Sequence, residues 1–103
     1  MNRRVTLVAA GIQVTADDRS RALKYLLEDA GEMRRQWDYD DVEVCDTEDD
    51  VTDEGDSVGI EVDVDVPEGH GERLWTGSAR FDVVVDEHDD AAAYAAARAL
   101  LAA

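Results

Sequence analysis

The stretch from Asp50 to Glu61, DVTDEGDSVGIE, has spacing that could hold a calcium ion. It places an acid first, Glu54 fifth, Gly55 sixth and Glu61 twelfth, where a calcium loop wants a tight glycine turn and a final bidentate glutamate. Asp50, Glu54 and Glu61 are therefore the candidate metal ligands. Several features count against them. The third position is Thr52 and the fifth is Glu54, where Asp or Asn is usual, and the eighth is Ser57 instead of an aliphatic residue. The flanks read as strands, whereas such a loop sits between helices. The expectation is no specific metal and no cofactor, only a solvated acidic loop that gathers monovalent cations loosely.

Other reactive residue types are not grouped for chemistry. His70 lies in GHG and His88 in DEHDD, one in a turn and one beside a helix start. A zinc site would need three or four such ligands at turn or helix spacing. Cys45 is the single cysteine, so no intramolecular disulfide is possible, and Glu43, Asp46 and Glu48 beside it are the reverse of what activates a thiol. Carboxylates are too numerous for any pair to stand out, and acid–base chemistry needs two in contrasting environments. Ser20, Ser57 and Ser78 lack a nucleophile-elbow setting, and the scattered glycines form no phosphate-cradling loop. No catalytic residue is expected, and the chain is read as a non-enzyme.

Charge is the strongest global signal. Twenty-six acids face ten bases, a formal net charge of −16, and nine of the ten bases are arginine. Affinity for nucleic acid comes largely from neutralising phosphates with Lys and Arg, so a nucleic-acid partner is not expected. No run approaches the roughly 20 apolar residues that span a bilayer, so no membrane partner is expected either. Val5–Ala10 is too short for a signal-peptide core. The chain reads as intracellular, or as part of something assembled inside a cell.

The charge is also uneven. Residues 1–36 carry seven bases and five acids, and residues 37–103 carry three bases and twenty-one acids. Such polarity suggests an oriented contact with a second copy or an acidic partner. Its candidate residues are Arg3, Arg4, Arg34 and Arg35, with Trp37 and Tyr39 as aromatic anchors, since Trp and Tyr are enriched at interface hot spots.

The elements that would position these residues follow from periodicity. Residues 5–14 read as a central strand with Val8, Ala10, Ile12 and Val14 on one face, Val5, Leu7 and Ala9 on the other, and Gly11 marking a bulge or a close approach. Thr15 and Asp18 have capping-box spacing, which predicts a helix starting near Ala16. Leu23, Leu26, Leu27, Ala30 and Met33 would form its buried stripe, with Gly31 a possible early stop. Residues 42–45 read as a short strand and 46–57 as the acidic loop. Residues 58–66 alternate cleanly, with Val58, Ile60, Val62, Val64 and Val66 on the core face. Residues 73–86 form the next strand, with Arg80 across from Glu61, Asp63 or Asp65. Residues 89–102 form a last helix with Tyr94, Ala97, Leu100 and Leu101 buried. The expected fold is a single α+β domain over 1–103. It has two layers, a mainly antiparallel four-stranded sheet and two helices, in the order β-α-β-β-β-α.

Three resemblances bear on function. Acid excess, scarce lysine and small apolar side chains resemble the proteins of organisms that keep molar salt in their cytoplasm. Residues 16–102 resemble the double-stranded-RNA-binding domain in element order only. Where that family has a Lys-rich cluster, this chain has Asp89-Asp90-Ala91, so RNA binding is not implied. GSARFDVVVDEHDDAAAYAAARALLAA, residues 77–103, resembles the closing strand and helix of small tail-completion or terminator proteins of tailed viruses. That resemblance implies a ring-forming structural subunit of a virion neck or tail, without catalytic residues. The expected function is thus a non-enzymatic assembly subunit working through protein–protein contacts in a high-salt cell or virion. The alternative is a small acidic ligand- or metal-binding regulatory domain using residues 46–61.

Overall fold

A computed structural model describes residues 2–36, 42–52, 55 and 57–102. Strand β1 runs over Asn2–Ala16, helix α1 over Arg19–Met33, β2 over Glu43–Val51, β3 over Ser57–Asp65, β4 over Arg73–Val85 and helix α2 over Asp90–Ala102. The strands form one antiparallel sheet in the order β2-β1-β4-β3. This is the expected α+β architecture. Both helices pack on one face of the sheet, and no described element covers the other. The described chain measures 49 × 26 × 19 Å. The long axis matches β1, whose 15 residues at about 3.3 Å each span roughly 50 Å.

The double-faced pattern of β1 has a different origin from the one its periodicity suggests. Ala9 pairs with Ala79 and Ile12 with Gly77, so β1 carries one extra residue there. Gly11 sits in that irregularity at φ +74, a conformation glycine adopts without steric cost. The bulge reverses the alternation. Val5, Leu7 and Ala9 before it, and Val14 and Ala16 after it, all point into the helix-covered core. Val8 and Ala10 belong to the open face instead.

The acidic stretch also differs from expectation. Residues 46–51 are not loop but the continuation of β2, paired with β1 from Val51 opposite Asn2 to Glu43 opposite Val8. Its alternation is hidden by two register irregularities, and Asp50 adopts a left-handed φ of 57. Few apolar residues mark this strand, and most of its side chains are exposed.

Helix α1 starts later than its capping-box spacing predicts. Thr15 and Ala16 stay in β1, opposite Leu74 and Arg73. The Ala16 carbonyl accepts a hydrogen bond from Trp75 Nε1 at 2.9 Å, which fixes the strand end over the core. Asp18 is the cap: its Oδ1 accepts from the Arg21 amide at 2.8 Å. Asp89 repeats the device at α2, accepting from the Ala92 amide at 3.0 Å. Replacing Asp18 by Ala is expected to cost about 1 kcal/mol, read as a lowered urea midpoint at unchanged m-value. Gly31 does not stop α1, which continues to Met33 and is closed by the Arg34 amide on the Ala30 carbonyl.

Two linked clusters make the core. Val5, Leu7, Ala30, Phe81, Val83, Val85, Ala93, Ala97 and Leu101 form the larger one, beneath α2 and the end of α1. Val14, Ala16, Ala22, Leu26, Val64 and Trp75 form the second, beneath the start of α1. The buried residues of α1 are Ala22, Leu26 and Ala30, while Leu27 and Met33 of the expected stripe lie exposed. Val66, expected on the core face, is also exposed because β3 ends at Asp65. Gly77 allows α1 to come down on β4. A Cβ there would collide with the Asp63 carbonyl oxygen, and would lie 2.7 Å from Leu26 Cδ2. Arg73 clips the β3–β4 turn, donating to the Gly69 carbonyl at 2.7 Å and the Asp17 carbonyl at 3.2 Å, with its guanidinium 4.9 Å over Trp75.

Candidate interaction surface

The open face of the sheet is built by the residues that alternate away from the helices. Thr6 and Val84 form its buried centre, flanked by Arg4 and Val8 on β1 and by Arg80 and Asp82 on β4. Thr6 Oγ1 donates to Asp82 Oδ1 at 2.9 Å, and Arg80 Nε donates to the same oxygen at 3.4 Å. On one side β2 adds Glu43, Asp46 and Glu48, in register with Val8, Thr6 and Arg4. On the other side β3 adds Glu61, Asp63 and Asp65, in register with Arg80, Ser78 and Thr76. The result is a mixed-charge centre between two acidic margins. The period two of β4 puts Arg80, Asp82 and Val84 on the face opposite Ala79, Phe81, Val83 and Val85. Thr6 as the centre of the face was missed, because it looks like an interruption of an apolar run.

The candidate metal ligands do not converge. Asp50 lies on β2, beside the Asn2 end of β1, and Glu61 lies on β3, opposite Arg80. These strands occupy opposite edges of the sheet, so three inter-strand spacings, about 14 Å, separate them before any offset along the strands. Calcium ligands approach within about 2.6 Å of one ion, so Asp50 and Glu61 cannot share it. Glu54 lies outside the described residues. His70, His88 and Cys45 are all exposed, and Cys45 occupies the irregularity of β2 between Val44 and Asp46. Among the described residues no group of His, Cys, Asp and Glu is arranged to hold a metal ion.

The interface candidates divide. Arg3 is inside the fold's own network. Its Nε donates to Asp49 and its Nη1 to Asp90, both at 2.6 Å, joining β2 to the start of α2. Desolvation opposes its charge, but these hydrogen bonds and the two carboxylate charges outweigh it and hold its pKa above the ordinary arginine value. Arg4 donates to Glu48 at 2.6 Å across the strands. The basic first third and the acidic remainder therefore meet within one molecule. Arg34 is half-buried at the end of α1 and Arg35 is exposed. Trp37 and Tyr39 lie outside the described residues.

Two hollows lined by described residues are small. A hollow of about 260 Å³ lies between the β1 bulge and α1, lined by Ala9–Gln13, Asp29 and Met33. Another of about 170 Å³ lies where β1, β3 and β4 meet at Gly11 and Gly77. Both fall short of the roughly 300 Å³ at which small-molecule sites begin. Among the described residues no helix is long and apolar enough to cross a membrane.

No protein-family model matches the chain, no curated protein is similar to it, and no solved structure matches it. Function therefore rests on the chain's own surface.

Proposed function

We propose that this chain is a non-enzymatic assembly subunit that works through protein–protein contacts in a high-salt setting, as a homo-oligomer or within a larger complex such as a virion neck or tail. The observation that carries the reading is the sheet face that no described element covers. Among the described residues this face is open, with Thr6 and Val84 buried at its centre. Both signs of charge lie across it, Arg4 and Arg80 beside Glu48 and Asp82. A face of mixed charge can meet a copy of itself with opposite charges in register, and a closed symmetric assembly buries it without leaving new edges. Two further points support the reading: the acidic, lysine-poor composition, and the likeness of residues 77–103 to the closing strand and helix of tail-completion proteins.

The regulatory-domain alternative needs residues 46–61 to act as one site, whereas β2 and β3 carry them to opposite edges of the sheet. One pair of measurements separates the readings. In about 1 M salt, light scattering is expected to give a multiple of the chain mass, and the melting temperature is expected not to respond to micromolar calcium. A monomer whose melting temperature rises with calcium favours the alternative.

A further inference from the structure

The two margins of the sheet are not equally protected. An edge strand offers unpaired N–H and C=O groups, and bulges and short length are the usual defences. The β2 edge has such a defence, with two register irregularities and a left-handed Asp50. The β3 edge has no irregularity, and its defence is charge alone, from Glu61, Asp63 and Asp65. Its nine residues run one-to-one against β4, from Ser57 opposite Val84 to Asp65 opposite Thr76. No described strand pairs with its outer side.

The core is also unfinished along this margin. Val83 and Phe81 of β4 are fully buried, whereas Val58, Ile60 and Val62 beside them on β3 are only half-buried. Helix α1 overhangs the same side. Asp29 and Met33 turn toward β1, where they line the hollow at Gly11. The flank carrying Leu23 and Leu27 lies on the order of 100° further round and faces the β3 side. Leu23 packs against the same cluster as Val62, and Leu27 remains 44% exposed. A strand added outside β3 would place alternate side chains under this overhang.

Its other side chains would meet Glu61, Asp63 and Asp65. Glu61 and Asp65 form no ion pair among the described residues, and Asp63 has a 3.4 Å contact from Arg19. Directly opposite residues on paired strands have Cβ atoms about 5 Å apart, where opposite charges attract and like charges repel. A second copy is a poor occupant, because both of its sheet margins, β2 and β3, carry acids on this face. We infer that the β3 edge, Val58–Asp65, docks an extended segment of another protein that alternates apolar residues with Arg or Lys. It joins the sheet as an added strand, with main-chain hydrogen bonds supplying affinity and the two rows of side chains supplying selection. This rests on the assembly reading and names one of its partner surfaces.

The test uses the whole chain in about 1 M salt with a nine-residue peptide alternating arginine and valine, and a scrambled peptide of the same composition. The expected result is slowed amide exchange confined to residues 58–65 with the alternating peptide alone. Affinity is expected to fall about tenfold or more in E61K/D63K/D65K, and to persist in E28K/E43K/D46K, which makes the same charge change elsewhere. Equal binding of the scrambled peptide, protection on β2 instead, or equal loss in both variants overturns the inference. Slow exchange at 58–65 in the chain alone, with a multimeric mass, identifies the occupant as a second copy and overturns it too. A multimer whose β3 exchanges freely and binds no peptide overturns the edge assignment while leaving the assembly reading intact.

Discussion

Moving the chain from about 1 M to about 0.01 M salt is expected to unfold it, with loss of far-ultraviolet circular dichroism and of a cooperative melt. The Debye length grows over that range from about 3 Å to about 30 Å. A net charge of −16 is then unscreened across the whole molecule. The fold concentrates the repulsion. Glu61, Asp63 and Asp65 follow at two-residue steps on one face of an edge strand, each roughly 7 Å from the next. Glu43, Asp46 and Glu48 repeat the pattern at the other margin. The pairs Arg3–Asp49, Arg3–Asp90 and Arg4–Glu48 offset part of this at contact distance, and they tie β2 only to the Asn2 end of β1 and to α2. Potassium chloride should restore the structure. Sucrose, which favours burial by exclusion but screens nothing, should restore less of it. A spectrum and melting temperature unchanged through the titration contradict the account, and equal rescue by sucrose assigns the effect to burial instead of charge.

Replacing Gly77 by Ala is expected to cost about 3 kcal/mol, the upper end of what overpacking a core usually costs. The new methyl would press on the Asp63 backbone, which is fixed by strand pairing, and on Leu26 and Val64 at 2.7 and 2.9 Å. Relief requires α1 to lift from β4 or β3 to part from it. Against a total stability of roughly 5–15 kcal/mol, the loss is large. Gly59 provides the control. A Cβ there meets only the Asp82 carbonyl oxygen at 3.9 Å, an ordinary contact. Gly59→Ala should therefore be near neutral, since it also narrows the unfolded chain's freedom. The readout is the denaturant midpoint of both variants in molar salt. Equal midpoints would show that α1 does not sit as closely on Gly77 as the packing requires.

The order of elements was legible because β3, β4 and both helices carry periods that survive tertiary packing. Val58, Ile60, Val62 and Val64 alternate without interruption, and so do Ala79, Phe81, Val83 and Val85. Two features were not legible, both for the same reason. In β1 Gly11 marks the bulge as its position suggests, but the bulge's inversion of the alternation was not legible, so one buried face reads as two half-faces. In β2 the two irregularities and the sparse apolar residues hide a strand inside a run of acids. What holds β2 is long-range: Arg3 and Arg4 reach Asp49 and Glu48, more than forty residues away. Local spacing cannot show such pairing. The same blindness produced the calcium spacing from Asp50 to Glu61, which is close in sequence but lies on opposite margins of the sheet. The charge polarity along the chain was legible as a sequence fact. Its consequence for Arg3 and Arg4 was not, because their acidic partners belong to the same molecule.

The central claim, in its homo-oligomer form, is that the sheet face no described element covers joins copies of the chain. Its most direct test is the solution mass by light scattering in about 1 M salt, measured over a range of protein concentrations. The account predicts a stable multiple of 11.3 kDa. A mass of 11.3 kDa at every concentration contradicts it.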